Sequence, residues 1–179
     1  KTTAIAAISD FPPISTDALA TDDLQDVKEQ TTVAMDFGEL TLDSGERIGL
    51  YGTPGQERFR HMWEILIKGG LGLIILVDNS RPHPIDDLRV YLHSFKDFIR
   101  STGAVIGVTR SDVNANVTVA DYQDLLEQEG LILPILEIDA REKEDVLLLL
   151  DMLMATVEMN QPAIEIEEHH EQHDPFFSL

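Results

Sequence analysis

Leu71-Gly72-Leu73-Ile74-Ile75-Leu76-Val77-Asp78 is apolar on both faces of any strand built from it, with Asp78 marking its end. Such a strand must be covered on two sides, which confines the chain to folds in which helices sandwich a mostly parallel sheet. Ala104-Val105-Ile106-Gly107-Val108 repeats the pattern, and Ile135 to Ile138 gives a third run. Helical periodicity lies between them. Leu88, Tyr91, Leu92, Phe95, Phe98 and Ile99 follow an Arg81-Pro82-His83-Pro84 start, Val119 to Glu129 stops at Gly130, and a broad apolar helix runs from Lys143 to about Met159. The expectation is an α/β, three-layer sandwich.

The first half adds an antiparallel piece. Val33-Ala34-Met35-Asp36-Phe37 alternates as a strand, the alternation resumes out of phase at Leu40 and Leu42, and a bulge near Gly38 is expected. Asp43-Ser44-Gly45-Glu46 turns the chain, and Arg47 to Tyr51 returns as the second strand of a hairpin. Before it, residues 1–8 look helical until Asp10-Phe11-Pro12-Pro13, and 9–31 is polar, acidic and long enough to be functional or mobile. From Gln161 the periodicity fails. Glutamates surround His169, His170 and His173, which reads as a solvated acidic tail in preference to a histidine metal site.

One domain fits 179 residues of which 43% are hydrophobic. With 33 acidic against 13 basic residues the net charge is −20, so nucleic acid and anionic membranes are repelled and any phosphate ligand must be held by local groups. The absence of cysteine excludes disulfides and thiolate chemistry and suits a reducing cytoplasm. No apolar run is long enough for membrane insertion. The first residue is Lys1 rather than methionine, so the true N-terminus is expected upstream.

Ligands of a parallel sheet sit outside the carboxyl ends of its strands, and chemistry-bearing residues gather there. Gly52-Thr53-Pro54-Gly55-Gln56-Glu57-Arg58-Phe59 reads as a strand running into a tight turn that exposes backbone amides, with Gln56 able to hold a water through donor and acceptor. Lys1-Thr2 matches the last two letters of a GxxxxGK[ST] phosphate loop.

Together with Thr32-Val33-Ala34-Met35-Asp36-Phe37 and Leu76-Val77-Asp78, these stretches resemble the switch regions and central strand of Ras-like small GTPases. They are closest in wording to the prokaryotic branch of MglA-type and conservon-type GTPases, over residues 1 to about 159. The resemblance implies a P-loop NTPase fold with one antiparallel hairpin strand. It implies that Lys1 contacts the β- and γ-phosphates, that Thr2 and Thr32 bind Mg2+, and that Thr3 lies in the same nucleotide site. Gly55 would offer its amide to the γ-phosphate and Gln56 would be the catalytic residue that orients the attacking water. Thr109, Arg110 and Asp112 stand where the family has its guanine motif, with Asp112 the acceptor of the guanine N–H groups. Asp139, Ala140 and Arg141 stand at the second guanine contact, where the Ala140 amide meets the base carbonyl. Arg58 or Arg60 could supply a positive charge in cis.

Three positions depart from the family. Gly52 replaces the aspartate that supports magnesium through water, and Thr109 and Arg110 replace asparagine and lysine. The expected function is a cytoplasmic GTP-binding and hydrolysing switch in bacterial signalling, alternating between GTP and GDP and controlled by a roadblock-type partner. The alternative is a pseudo-GTPase acting as an interaction module. The expected domain is 1–160, with 161–179 as the tail and the first strand and most of the phosphate loop upstream of residue 1.

Overall fold

The computed structural model describes residues 1–15, 35–55, 60–114 and 116–160. In chain order these form α1 (Thr2–Ile8), β1 (Ile14–Ser15), β2 (Asp36–Thr41), β3 (Arg47–Gly52), α2 (Arg60–Leu66), β4 (Leu73–Asp78), α3 (Pro84–Ser94), α4 (Lys96–Ser101), β5 (Ala104–Thr109), α5 (Val119–Glu129), β6 (Ile135–Ile138) and α6 (Lys143–Asn160). Strands β4, β5 and β6 make a parallel sheet in that order. Alternation along them decides which side chains meet which helices. Ile75 and Val77 with Ala104, Ile106 and Val108 pack with Leu88 and Leu92 of α3 and Tyr122 and Leu125 of α5. Val105 and Ile138, with Ile74 and Leu76, pack instead with Leu149, Leu153 and Val157 of α6. The two-faced apolar runs therefore form the middle of three layers, as their composition requires.

Strands β1, β2 and β3 form a second, antiparallel sheet. Helix α1 joins it to the rest, since Ala4 and Ile8 cluster with Leu40 of β2 and with Val146 and Leu150 of α6. The expected bulge near Gly38 is absent. Pairing runs unbroken from Asp36↔Gly52 to Thr41↔Arg47, and Phe37 and Leu40 simply face opposite sides. Phe37 stacks outward with Phe11 and Tyr51, while Leu40 turns in toward α1. Gly38 also faces α1, where a Cβ would meet Ile5 at 2.6 Å and Ser9 at 2.8 Å, so only glycine allows the helix this close. Strand β1 was not expected. It is two residues long, too short to carry a periodic signal.

The described strands thus fall into two sheets. Among the described strands, β3 and β4 are each paired along one edge only. The apolar stripe that reads as one helix is divided at Phe95 into α3 and α4, although the Phe95 amide still bonds to the Tyr91 carbonyl and the Ile99 amide to Phe95. Helix α5 has the expected ends. Thr118 and Asp121 form a reciprocal cap, and Gly130 closes the helix in the left-handed region at φ 65°.

Leu149 is fully buried, and it packs so closely on Gly107 that a Cβ there would lie 2.7 Å from its Cδ1. Truncation by Leu149→Ala should remove about 2–5 kcal/mol of stability in urea unfolding, and a loss below about 0.5 kcal/mol would show that α6 is not the clamp of this sheet.

Candidate functional site

Register places three strand ends side by side. Asp78 is opposite Thr109, and Thr109 is opposite Ile138, so the loops after β4, β5 and β6 leave the sheet at one level. Between them lies a cavity of about 770 Å3 whose wall includes Lys1, Thr3, Asp78, the Thr109–Val113 loop and Asp139–Arg141. The loop after β5 is fixed from below by Asn79, which is wholly buried and hydrogen-bonded on all sides. Its Nδ2 donates to the carbonyls of Asn114 (3.0 Å) and Val117 (3.1 Å), its Oδ1 accepts from the Tyr122 hydroxyl (2.7 Å), and its carbonyl accepts from Asn114 Nδ2 (3.1 Å). Burial pushes the Tyr122 phenol up to about 12, so it stays a donor.

Arg110 has φ 58°, unusual for a residue with a side chain. That conformation starts the turn closed by the Val113 amide on the Arg110 carbonyl. It also accompanies the return of the guanidinium to Asp78 at 3.2 Å and Ser80 at 3.5 Å. Thr109 is engaged elsewhere, its hydroxyl donating to the Val77 carbonyl at 3.0 Å. Across the cavity Arg141 grips Asp139 with a fork of bonds, Nε lying 2.9 Å from Oδ1. These bonds hold the Asp139 carboxyl down at about 2. The Ser111 hydroxyl is buried in the same loop with no hydrogen-bond partner among the described residues, leaving a polar atom for a ligand to satisfy.

Toward β2 and β3, the Lys1 ammonium lies 3.0 Å from Asp36 Oδ2, and the Thr2 hydroxyl donates to the same oxygen at 2.6 Å. Burial alone would raise the Asp36 pKa, but hydrogen bonds from Thr2 and Lys1 outweigh it and keep the carboxylate ionised. A hydroxyl beside a carboxylate is a hard-oxygen donor set suited to Mg2+, which takes one or two protein ligands and leaves the rest to water and phosphate. No group of three or more His, Cys, Asp or Glu able to hold a metal by themselves occurs among the described residues.

The turn after β3 rests on α2 and α3. Trp63 Nε1 donates to the Pro54 carbonyl at 2.8 Å and the Tyr91 hydroxyl to the Gly55 carbonyl at 2.9 Å. Trp63 is buried against the Tyr91 and Phe95 rings. Of the residues singled out from sequence, Lys1, Thr3, Thr109, Arg110, Asp112, Asp139, Ala140 and Arg141 line one cavity, and Thr2, between two of them in the chain, turns its hydroxyl to Asp36 instead. Gly55 is apart from them on Tyr91, and Arg60 starts α2 in an exposed position. Thr32, Gln56, Arg58 and the tail histidines lie outside the described residues. Sequence reasoning missed Asp36 and Asn79. Asp36 carried a signal that went unused, a charged residue at an inward position of an alternating strand.

Comparison with known proteins gives two results. A family described as conserved hypothetical ATP binding protein matches residues 4–170. Ras-related protein SEC4 of Saccharomyces cerevisiae is 27% identical over 120 residues, 65% of this chain and 55% of that protein. Ras-related protein RABA6a of Arabidopsis thaliana is 29% identical over 121 residues, 64% of this chain and 51% of its own length. Ras-related protein RabC of Dictyostelium discoideum is 27% identical over 135 residues, 71% and 68% respectively. The chain thus spans about half the length of the first two of these relatives. The parallel sheet with an antiparallel hairpin is consistent with a P-loop GTPase fold.

Hydrogen bonds from the Ser80 hydroxyl and amide, followed by the Arg110 charge, hold the Asp78 carboxyl below its usual 3.8. A carboxyl depressed in the folded state contributes stability that is fully present above its unfolded pKa and is lost as pH falls through the folded one. Asp78→Asn should therefore lower the urea midpoint near neutrality, and the gap from the parent should narrow as pH drops below about 4. A gap independent of pH would remove Asp78 from this role.

Proposed function

The chain belongs to the family of conserved hypothetical ATP binding proteins, and from that premise we propose that it is a nucleotide-dependent switch that binds and hydrolyses GTP. The observation that carries this reading is a cavity at the strand ends whose wall Lys1, the Thr109–Val113 loop and Asp139–Arg141 share. The family description names ATP, whereas the Ras-related relatives and Asp112 favour guanine. Asp112 lines the cavity together with Glu137 and Asp145, and in this reading it takes the guanine ring N–H and amino groups because it stands where the resemblance has its guanine-motif aspartate. An adenine offers no donor pair of that kind on the corresponding edge.

In the proposed cycle the Lys1 ammonium contacts the β- and γ-phosphates and the Thr2 hydroxyl faces the cation. Bound Mg2+ would neutralise charge developing on the phosphate oxygens. The Gly55 amide turns to the γ-phosphate, and Gln56 orients the water that attacks in line. Thr32 closes from the first switch, and Arg58 or Arg60 adds positive charge beside Gln56. The two states differ in segments 10–32 and 52–63. We extend the proposal to a strand and a phosphate loop from a segment preceding Lys1, supported by the edges of β3 and β4 that stay unpaired among the described strands. Control by a roadblock-type partner in bacterial signalling of polarity or surface behaviour, within the cytoplasm, is its finest part and rests on the wording of the switch residues. No helix among the described residues is long and apolar enough to cross a membrane.

The test is equilibrium binding and turnover on the full-length protein. Magnesium-dependent binding should favour GTP over ATP by at least about tenfold, since leaving Asp112 unmatched costs on the order of 1–3 kcal/mol. Equal affinity for the two would remove Asp112 from its role. Gln56→Ala should slow hydrolysis by at least about tenfold while sparing GTP binding, the behaviour of a residue used in the transition state. Binding without turnover, even with a partner, would favour the interaction module, which the absence of a carboxylate at Gly52 supports.

A further inference from the structure

Two successive carbonyls of the turn after β3 are held by side chains from two helices, and the two holds are unequal. Trp63, 2% exposed and packed on the Tyr91 and Phe95 rings, donates from α2 to the Pro54 carbonyl at 2.8 Å. The Tyr91 hydroxyl donates from α3 to the Gly55 carbonyl at 2.9 Å, and that bond is open to solvent. Burial, followed by the charge of Asp87, raises the phenol pKa, so Tyr91 stays a donor. Leu88 and Leu92, on either side of Tyr91 along α3, are fully buried, so the helix is fixed and the turn is the part that yields.

Packing gives little reason for the Tyr91 contact. A carbonyl at the surface accepts from water as well, so an exposed hydrogen bond adds little to stability. The contact also demands glycine, since a Cβ on residue 55 would run into the Tyr91 hydroxyl, and glycine gives up more backbone freedom on folding than any other residue. Peptide geometry does supply a reason. The Pro54–Gly55 bond is trans, so a carbonyl directed to Trp63 sends the Gly55 amide the opposite way, off α2. The amide is thus turned away from the helix, yet none of Thr53, Pro54 and Gly55 belongs to the wall of the strand-end cavity. For that amide to meet a phosphate held in the cavity one of the two holds has to give way, and the exposed one costs less to exchange for water.

Resting on the nucleotide-switch reading above, we propose that Tyr91 is a catch and Trp63 a pivot. The Tyr91 hydroxyl holds the turn off the cavity, and contact of the Gly55 amide with a γ-phosphate draws the Gly55 carbonyl away from it while the Pro54 carbonyl stays on Trp63. The catch sets how strongly a nucleoside triphosphate is preferred over the diphosphate, because only the triphosphate works against it. Tyr91 is a positioning residue, since it acts through Gly55.

The experiment measures equilibrium binding of fluorescent GDP and of a non-hydrolysable GTP analogue to the full-length protein with Mg2+. By removing one hydrogen bond from the diphosphate-bound arrangement, Tyr91→Phe should raise the affinity for the analogue by about three- to tenfold and leave that for GDP within about twofold. An unchanged ratio of the two affinities overturns the proposal, and so does a fall in the ratio, which places the bond in the triphosphate-bound arrangement instead. Either result leaves the switch reading standing so long as the parent binds both nucleotides; a parent that binds neither overturns both. The indole N–H signal of Trp63 in 15N-labelled protein reports the pivot. In the parent it should move with the analogue and hold with GDP, and in Tyr91→Phe without nucleotide it should already lie partway to the analogue position; a signal that stays at the parent position overturns the catch. If Tyr91→Phe does not fold, the parent decides. Its 13C-labelled Tyr91 Cζ signal should shift with the analogue and hold with GDP, and a signal indifferent to the analogue refutes the proposal.

Discussion

Burial of β5 on both faces is the constraint from which the remaining geometry follows. Ala104, Val105 and Ile106 are completely inaccessible, so helices must lie above and below, and the crossovers that carry them run the strands parallel. Parallel strands in register put all their carboxyl ends on one rim. The cavity at that rim is a consequence of packing before it is a matter of chemistry. Gly107 tightens the arrangement by letting Leu149 approach the strand backbone, which fixes α6 and with α6 the position of α1.

The chemistry at the rim is one of cations held in advance by carboxylates. Lys1 is set on Asp36, Arg110 on Asp78 and Arg141 on Asp139. In a chain with 33 acidic residues these pairs keep three positive groups at one opening against a repulsive background for anions. The polar network around Asn79 serves the same end by other means, since its hydrogen bonds to Asn114, Val117 and Tyr122 tie the loop after β5 to β4 and α5.

Much of this was legible in the sequence, where local signals are strong. The apolar runs of β4 and β5, the Thr118–Gly130 boundaries of α5 and the long α6 follow from periodicity and capping, which need only neighbouring residues. Lys1, Thr109–Asp112 and Asp139–Arg141 were singled out through the family resemblance, and the fold brings them to one cavity. What stayed hidden depends on contacts distant in sequence. The straight β2 was misread as bulged because its outward face carries Phe37 and is itself partly covered by Phe11 and Tyr51. The left-handed backbone of Arg110 and its pairing with Asp78, 32 positions away, carry no local signal. Asp36 became visible only through its pairing with Gly52 and its contact with Thr2, 34 positions away.

Strands β3 and β4 each present a row of ladder groups that no other described strand takes up. A row of that kind is a template for any extended segment, including one from another copy. The charge of −20 opposes such encounters, and its reach is the Debye length, about 30 Å at 0.01 M salt and about 10 Å at 0.1 M. Salt thus acts in two directions on this molecule. It loosens the hold of Lys1, Arg110 and Arg141 on their carboxylates, and it removes the mutual repulsion that keeps two open sheet edges apart, which makes colloidal behaviour a direct readout of whether those edges are filled.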